Sequence, residues 1–264
     1  MFMVLSAVLL GVVEGLTEFL PVSSTGHLIV VGHLIDWRGP QAATFQIFIQ
    51  AGAILAVVGL YRDRFRSLLS GRRESEFGGR RGLLLLGLTT LPALACGAVA
   101  HGAIKQYLFN PVTVALGLGV GGVAILLIER LWLRPGREGL GALQWRDALL
   151  VGLFQCLSLW PGVSRAAATI IGGRLAGLER RTATEYSFLA AVPVMFAAIG
   201  YDLLKSWRHL ELDSLPVFAV GFVVAWLSAR LAVKFFLRLL GSYTLAPFGW
   251  YRLVVAGAVL LLWR

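Results

Sequence analysis

The 264-residue sequence predicts an all-α polytopic membrane protein, with six spanning helices plus two re-entrant helix–loop–helix hairpins in an inverted-topology repeat. Three observations predict it. The chain is 58% hydrophobic, only 14% charged, and has a mean hydropathy of +0.78, too little charge to cover a soluble domain of this length. Six apolar stretches approach the roughly 20 residues that cross a hydrocarbon core about 30 Å thick. Two further apolar segments are interrupted at mid-length by Pro, Gly and hydroxyl residues, and their patterns repeat.

In chain order, the first interrupted segment covers 3–35 and breaks at Glu18-Phe-Leu-Pro21-Val-Ser23-Ser24-Thr25-Gly26-His27. Its apolar start, 1–19, lacks a basic opening and carries two glutamates, so no removable signal peptide is expected. Spans are expected over 41–61, 83–101 and 111–133. The second interrupted segment, 145–175, breaks at Ser158-Leu-Trp160-Pro161-Gly162-Val-Ser164-Arg165. Spans over 182–204, 215–236 and 247–263 follow. Phe48, Ala51 and Tyr61 recur as Phe188, Ala191 and Tyr201, an offset of about half the chain.

If each interrupted segment returns to the side it started from, three spans follow each hairpin and the halves have opposite orientation. Irregular backbone inside a bilayer is tolerated only where it lines a cavity, which favours this arrangement. One membrane domain over 1–264 is expected, with repeat one over about 1–134, repeat two over about 145–264, and the site near the midplane between them.

The net charge of +10 is distributed asymmetrically. Of 24 Lys and Arg, eighteen fall in alternate connections: Arg62, Arg64, Arg66, Arg72, Arg73, Arg80, Arg81, then Arg130, Arg134, Arg137, Arg146, then Arg174, Arg180, Arg181, and finally Arg230, Lys234, Arg238 and Arg252. The opposite side holds Arg38, Lys105, Lys205, Arg208 and Arg264, with Arg165 left inside the membrane region. This positive-inside pattern places the first group in the cytoplasm and argues against a nucleic-acid partner. Cys96 and Cys156 lack any metal or redox spacing and read as small hydrophobes.

Charged groups within membrane segments are costly and mark function. Glu14 and Glu18 share one helix face. Such a pair either caps or pairs with an arginine, or holds a hard cation such as Mg²⁺ or Ca²⁺, or moves a proton. The run Ser23-Ser24-Thr25-Gly26 precedes a new helix and can cap it. The same helix start offers free N–H groups to a phosphate. Ser24 and His27, at i and i+3, can supply a nucleophile and its base, or a base and an orienting hydroxyl. In the second break, Gly162, Ser164, Arg165 and Thr169 repeat the arrangement, and the planar fork of Arg165 suits phosphate oxygens or a carboxylate mate. Two helix starts, an arginine and a Ser-rich loop imply a ligand with more than one negative charge, and the membrane setting implies a lipid tail. Gln50 and Glu185 are candidates for a supporting role. His33, His101 and His209 lie near span ends and read as structural or interfacial, and Trp207, Trp250 and Trp263 as interfacial anchors.

The segment Glu14-Gly-Leu-Thr-Glu18-Phe-Leu-Pro21-Val-Ser23-Ser24-Thr25-Gly26-His27 resembles the first motif of the bacterial undecaprenyl-pyrophosphate phosphatases, the bacitracin-resistance family. Pro161-Gly162-Val163-Ser164-Arg165-Ala166-Ala167-Ala168-Thr169 is similar to its second motif. The resemblance runs over essentially the whole chain. It implies hydrolysis of the terminal phosphate of undecaprenyl pyrophosphate, with a divalent cation, in the bacterial cytoplasmic membrane, at a site opening to the extracytoplasmic side. A homodimer is compatible with it. Glu14 and Glu18 then match the acidic pair, Ser24 and His27 the hydroxyl and histidine, and Arg165 the essential arginine. Ser23, Thr25, Gly26, Gly162, Ser164 and Thr169 would contact substrate. Ala166 departs from the family pattern, which has Ser there. From another class, a transporter or flippase of a lipid phosphate or small anion shares the inverted-repeat, broken-helix architecture.

Overall fold

The computed structural model describes residues 2–37, 39–69, 77–131, 136–206, 212–240 and 243–263. The expectations for Arg38, Arg72, Arg73, Arg134, Trp207, Arg208, His209 and Arg264 lie outside these residues. The described chain is helical: α1 (Phe2–Thr17), α2 (Ser24–Leu34), α3 (Pro40–Leu60), α4 (Arg62–Leu69), α5 (Gly79–Ala103), α6 (Pro111–Leu131), α7 (Trp145–Leu157), α8 (Arg165–Leu175), α9 (Arg180–Ser206), α10 (Leu215–Leu239) and α11 (Ala246–Leu262).

Among the described residues, five helices are long and apolar enough to cross a membrane: Gln41–Leu60, Gly79–Ala100, Pro111–Leu131, Arg180–Lys205 and Leu215–Leu239. The sixth expected span is a 17-residue helix, Ala246–Leu262, at the short limit of what a bilayer core requires. Both interrupted segments break where the sequence places the break. At about 1.5 Å per residue, the 11-residue α2 and α8 are each only about half a membrane long.

The halves follow one plan. A helix, a short loop, an 11-residue helix and then long helices occur twice, with the second set displaced by roughly 140 residues. The packing respects the exchange. α1 lies on α10 as α7 lies on α5, α3 meets both α10 and α9 as α9 meets both α5 and α3, and α6 pairs with α11. Each half therefore buries its broken helix against the other half, and neither has a core of its own. The largest apolar cluster draws on both, with Phe19, Ile54, Phe188 and Phe236 among its members. Within it, the Phe19 and Phe188 rings meet edge to face at 5.7 Å.

Close helix approach inside lipid depends on small residues, because hydrophobic burial contributes little there. Gly11 and Gly15 place α1 directly on the α10 backbone. A Cβ on Gly15 would stand 2.6 Å from the Ala225 carbonyl oxygen. Gly152 does the same for α7 against the Leu88 and Thr89 carbonyls of α5, one turn before Pro92, which lies inside that helix and cannot bond the Leu88 carbonyl.

Gly15→Leu should therefore lower thermal stability in detergent by several degrees, an overpacking cost of about 1–3 kcal/mol. Gly59→Ala, where a Cβ meets open space, should leave the melting temperature unchanged. Equal melting temperatures for both variants would show that α1 does not seat on α10 in this way.

Candidate active site

The two breaks create matching helix starts. Ser23 caps α2, its side chain accepting from the Gly26 N–H at 3.4 Å, and Ser164 caps α8, accepting from the Ala167 N–H at 3.2 Å. Both serines adopt left-handed backbone, at φ 71° and φ 72°. Residues other than glycine rarely do so, and such strain concentrates at functional sites. Gly162, at φ 96°, sits two residues before Ser164 and against the backbone of α6 at Val114, where no side chain fits.

Glu18 lies just past α1 and joins the two loops. Its Oε2 accepts a 2.5 Å hydrogen bond from the Ser24 hydroxyl, and its Oε1 meets Arg165 Nη2 at 3.2 Å. Both charged side chains are buried, with 10% of Arg165 and 8% of Glu18 exposed. Arg165 also donates from Nη1 to the Ser187 carbonyl at 3.2 Å and packs over the Phe19 ring, while its Nε has no hydrogen-bond partner. Of the two carboxylates expected as mates for Arg165, Glu18 is the one it takes. Glu14, one turn earlier, is 1% exposed and its Oε1 lacks a partner.

A cavity of about 610 Å³ opens over this cluster. Its floor is polar, formed by Glu18, Ser23, Ser24, Thr25, Gly162, Ser164 and Arg165, with Gln50 and Gln155 beside them. Its upper walls are apolar, from Ala93 to Ala98 on α5 and from Val194 to Ala198 on α9, with the polar Tyr201 and Asp202 beyond them.

Several expected residues stand elsewhere. The Ser24 hydroxyl bonds to Glu18, not to His27. The His27 ring instead has Nδ1 2.7 Å from the Ser23 carbonyl oxygen and Nε2 2.7 Å from the Tyr251 hydroxyl, with its ring stacked on the tyrosine. His27 and Gly26 do not line the cavity. Thr169 is fully buried beneath the floor, its hydroxyl bonded to the Arg165 carbonyl at 2.9 Å and to the Ser187 hydroxyl at 2.6 Å. It does not line the cavity. Ala166 is also fully buried, within the apolar cluster around Phe19, so the hydroxyl it lacks faces packing and not the cavity. Glu185 pairs with Arg181 at 3.3 Å, away from the cavity, and the His33 ring lies tilted against Trp263 just past the end of α11.

One correction concerns Arg252, counted from sequence with the basic connections. It lies within α11, is fully buried, and donates to main-chain carbonyls of both loops: Pro21 at 3.0 Å, and Gly162 and Val163 at 2.9 Å each. Its signal in the sequence was a lone charge inside an apolar helix. Gln155 was also missed as a site residue. Its Nε2 donates to the Thr89 carbonyl at 2.9 Å while its Oε1 has no partner, and it stands in the second half where Glu14 stands in the first. The shared spacing, Gly11 to Glu14 and Gly152 to Gln155, was the available cue.

A family profile described as "Bacitracin resistance protein BacA" matches residues 7–258. The chain is 56% identical over 258 residues to an undecaprenyl-diphosphatase of Maridesulfovibrio salexigens, covering 98% of each sequence. It is 57% identical over 255 residues to an undecaprenyl-diphosphatase of Nitratidesulfovibrio vulgaris, covering 97% of this chain and 96% of that one. Against an undecaprenyl-diphosphatase 1 of Bacillus anthracis it is 48% identical over 257 residues, covering 96% of both.

In a background with Cys96 and Cys156 replaced by serine, Thr25→Cys and Ala98→Cys should react with a small charged thiol reagent added in solution, because both positions line the cavity. Ala166→Cys and Thr169→Cys should stay unmodified until the protein is denatured. Comparable labelling of all four, read by mass spectrometry, would contradict the assignment of floor and packing residues.

Proposed function

The chain belongs to the bacitracin resistance protein BacA family, and from that membership and the cavity chemistry we propose that it removes the terminal phosphate of undecaprenyl pyrophosphate. The products are undecaprenyl phosphate and inorganic phosphate, and the reaction recycles the lipid carrier for cell-wall synthesis. The observation that carries the reading is a hydroxyl held against a carboxylate beside a buried arginine, on the floor of a cavity with apolar walls. The floor suits a diphosphate and the walls suit a prenyl chain. The transporter or flippase alternative gains nothing from the family or from the relatives.

In the proposed mechanism the Ser24 hydroxyl attacks the terminal phosphorus in line. The bond from that phosphorus to the bridging oxygen breaks, and undecaprenyl phosphate leaves. Glu18 takes the Ser24 proton, a role supported by their 2.5 Å hydrogen bond. Water then cleaves the phosphoserine and the proton returns to Ser24. Arg165, with the N–H groups at the starts of α2 and α8, faces the equatorial oxygens, where stabilisation of phosphoryl transfer matters most. His27 takes a holding part in this reading, fixing the Ser23 carbonyl from behind.

A divalent cation, Mg²⁺ or Ca²⁺, would be held by Glu14 and Glu18. The donor set fits, since both are hard oxygen ligands and Glu14 Oε1 is buried without a partner. Substrate phosphate oxygens would complete the shell, because no cluster of three or more His, Cys, Asp or Glu stands among the described residues. When bound, the cation offsets phosphate charge.

We also read the protein as a single inverted-topology domain in the cytoplasmic membrane, with α1–α2 and α7–α8 re-entrant. The cavity mouth would face the extracytoplasmic side. α5 carries Arg80 and Arg81 in its first turn and lines the cavity from Ala93 to Ala98. α9 starts at Arg180 and Arg181 and reaches it at Tyr201 and Asp202. Both helices therefore carry their positive ends away from the mouth, as a cytoplasmic location of those ends requires. Removing Arg252 from the basic connections leaves that asymmetry intact.

With purified protein in detergent and a prenyl pyrophosphate, Ser24→Ala and Glu18→Gln should each lower phosphate release on the order of 10²- to 10⁴-fold. Ser24→Ala turning over at the normal rate would remove the serine from the chemistry. For the cation, Glu14→Gln should weaken Mn²⁺ binding measured by calorimetry, and chelation should abolish release until Mg²⁺ or Ca²⁺ is restored. Full activity in chelator would end the metal proposal.

A further inference from the structure

We infer that Arg252 is a positioning residue of the reaction, holding both helix-start loops in one register and turning their peptide units toward the phosphate. The inference rests on the phosphatase reading above. The guanidinium is fully buried and its hydrogen bonds all go to main-chain carbonyls, none to a carboxylate. They come from three segments of chain: Pro21 in the first loop, Gly162 and Val163 in the second, and Gly117 and Leu118 in α6. Leaving a buried charge without a carboxylate is expensive, so a site that does so has a reason to keep the charge positive.

The geometry supplies the reason. Peptide bonds here are trans, so each N–H points opposite to its carbonyl. With the Val163 oxygen drawn onto Arg252, the following N–H, that of Ser164, is turned away from the guanidinium, and Ser164 itself lines the cavity. The same pull on Pro21 fixes the stretch that leads to Ser23 and Ser24. Arg252 thus orients donors of the anion site from behind without touching substrate. Its charge also adds to that of Arg165, which is partly offset by Glu18.

The neighbouring helix is shaped to admit this side chain. A Cβ on Gly121 would fall directly on the guanidinium, and one on Gly122 would press on the Arg252 Cβ at 3.2 Å. Lysine retains the charge but concentrates its donors at one point, so it cannot span three segments as the planar fork does.

Arg252→Lys should lower kcat on the order of 10²-fold, with KM changed by less than about threefold, as expected when reacting groups are misplaced by about 1 Å. Gly121→Ala, which crowds the guanidinium without removing it, should give an intermediate loss of kcat. Hydrogen exchange should quicken together at residues 18–25 and 158–165 in both variants. A normal kcat for Arg252→Lys, or a loss that disappears when rates are scaled to the folded fraction, would overturn the inference. Unchanged exchange in both loops would do the same. If the wild-type protein released no phosphate, the phosphatase reading would fail instead, and the exchange experiment would still decide the clamp.

Discussion

The Glu18 carboxylate, shared between the Ser24 hydroxyl and the Arg165 guanidinium, is the constraint around which the rest of the structure is arranged. Its three members come from different segments: the end of α1, the start of α2 and the start of α8. They meet only if both chain breaks come together at one depth. A buried ion pair tolerates little misplacement, because separated buried charges cost far more than the pair gains. The surroundings accordingly hold these members in place. Arg165 is held by Thr169 through its own carbonyl and by Ser187 through its side chain, and α2 begins at a serine whose backbone lies in the left-handed region.

The exchange of packing between halves is what brings the breaks together. Because α1 seats on α10 and α7 on α5, neither broken segment packs without the other half in place. The glycines of α1, α6 and α7 permit these approaches at backbone distance, and Arg252 spans the gap that remains between the loops. The same packing leaves apolar faces of α5 and α9 beside the floor, which gives the cavity its apolar walls. Fold and site are thus one construction, in which the void is shaped by the contacts that hold the halves together.

Much of this was legible in the sequence, for identifiable reasons. Proline, glycine and hydroxyl clusters interrupt apolar runs only where backbone leaves regular structure, so both breaks were readable to within a few residues. Glu18, Ser24 and Arg165 were conspicuous because polar groups in apolar segments are rare. The rest depended on geometry that spacing does not carry. Ser24 and His27 are one helical turn apart, which suggests a direct pair. With Ser23 in the left-handed region at the helix start, Ser24 bonds Glu18 and His27 meets Tyr251, more than two hundred positions away in sequence. Thr169 was expected as a substrate contact from its place in the second motif, yet its interval of four residues from Arg165 lets its hydroxyl return to the Arg165 carbonyl within the helix. Arg252 was taken for a boundary charge because it lies near the start of the last apolar run. Its socket consists of carbonyls and glycines from α6 and the two loops, and no local pattern announces it.

The central claim, that Glu18 holds Ser24 ready to accept a phosphoryl group, is tested most directly by acid-quenching the enzyme during turnover of a prenyl pyrophosphate labelled in its terminal phosphate. Peptide mapping should find the label on Ser24 in the wild-type protein, and the covalent species should form far more slowly in Glu18→Gln. Label on His27, or turnover with no covalent phosphate at any time point, would contradict the account.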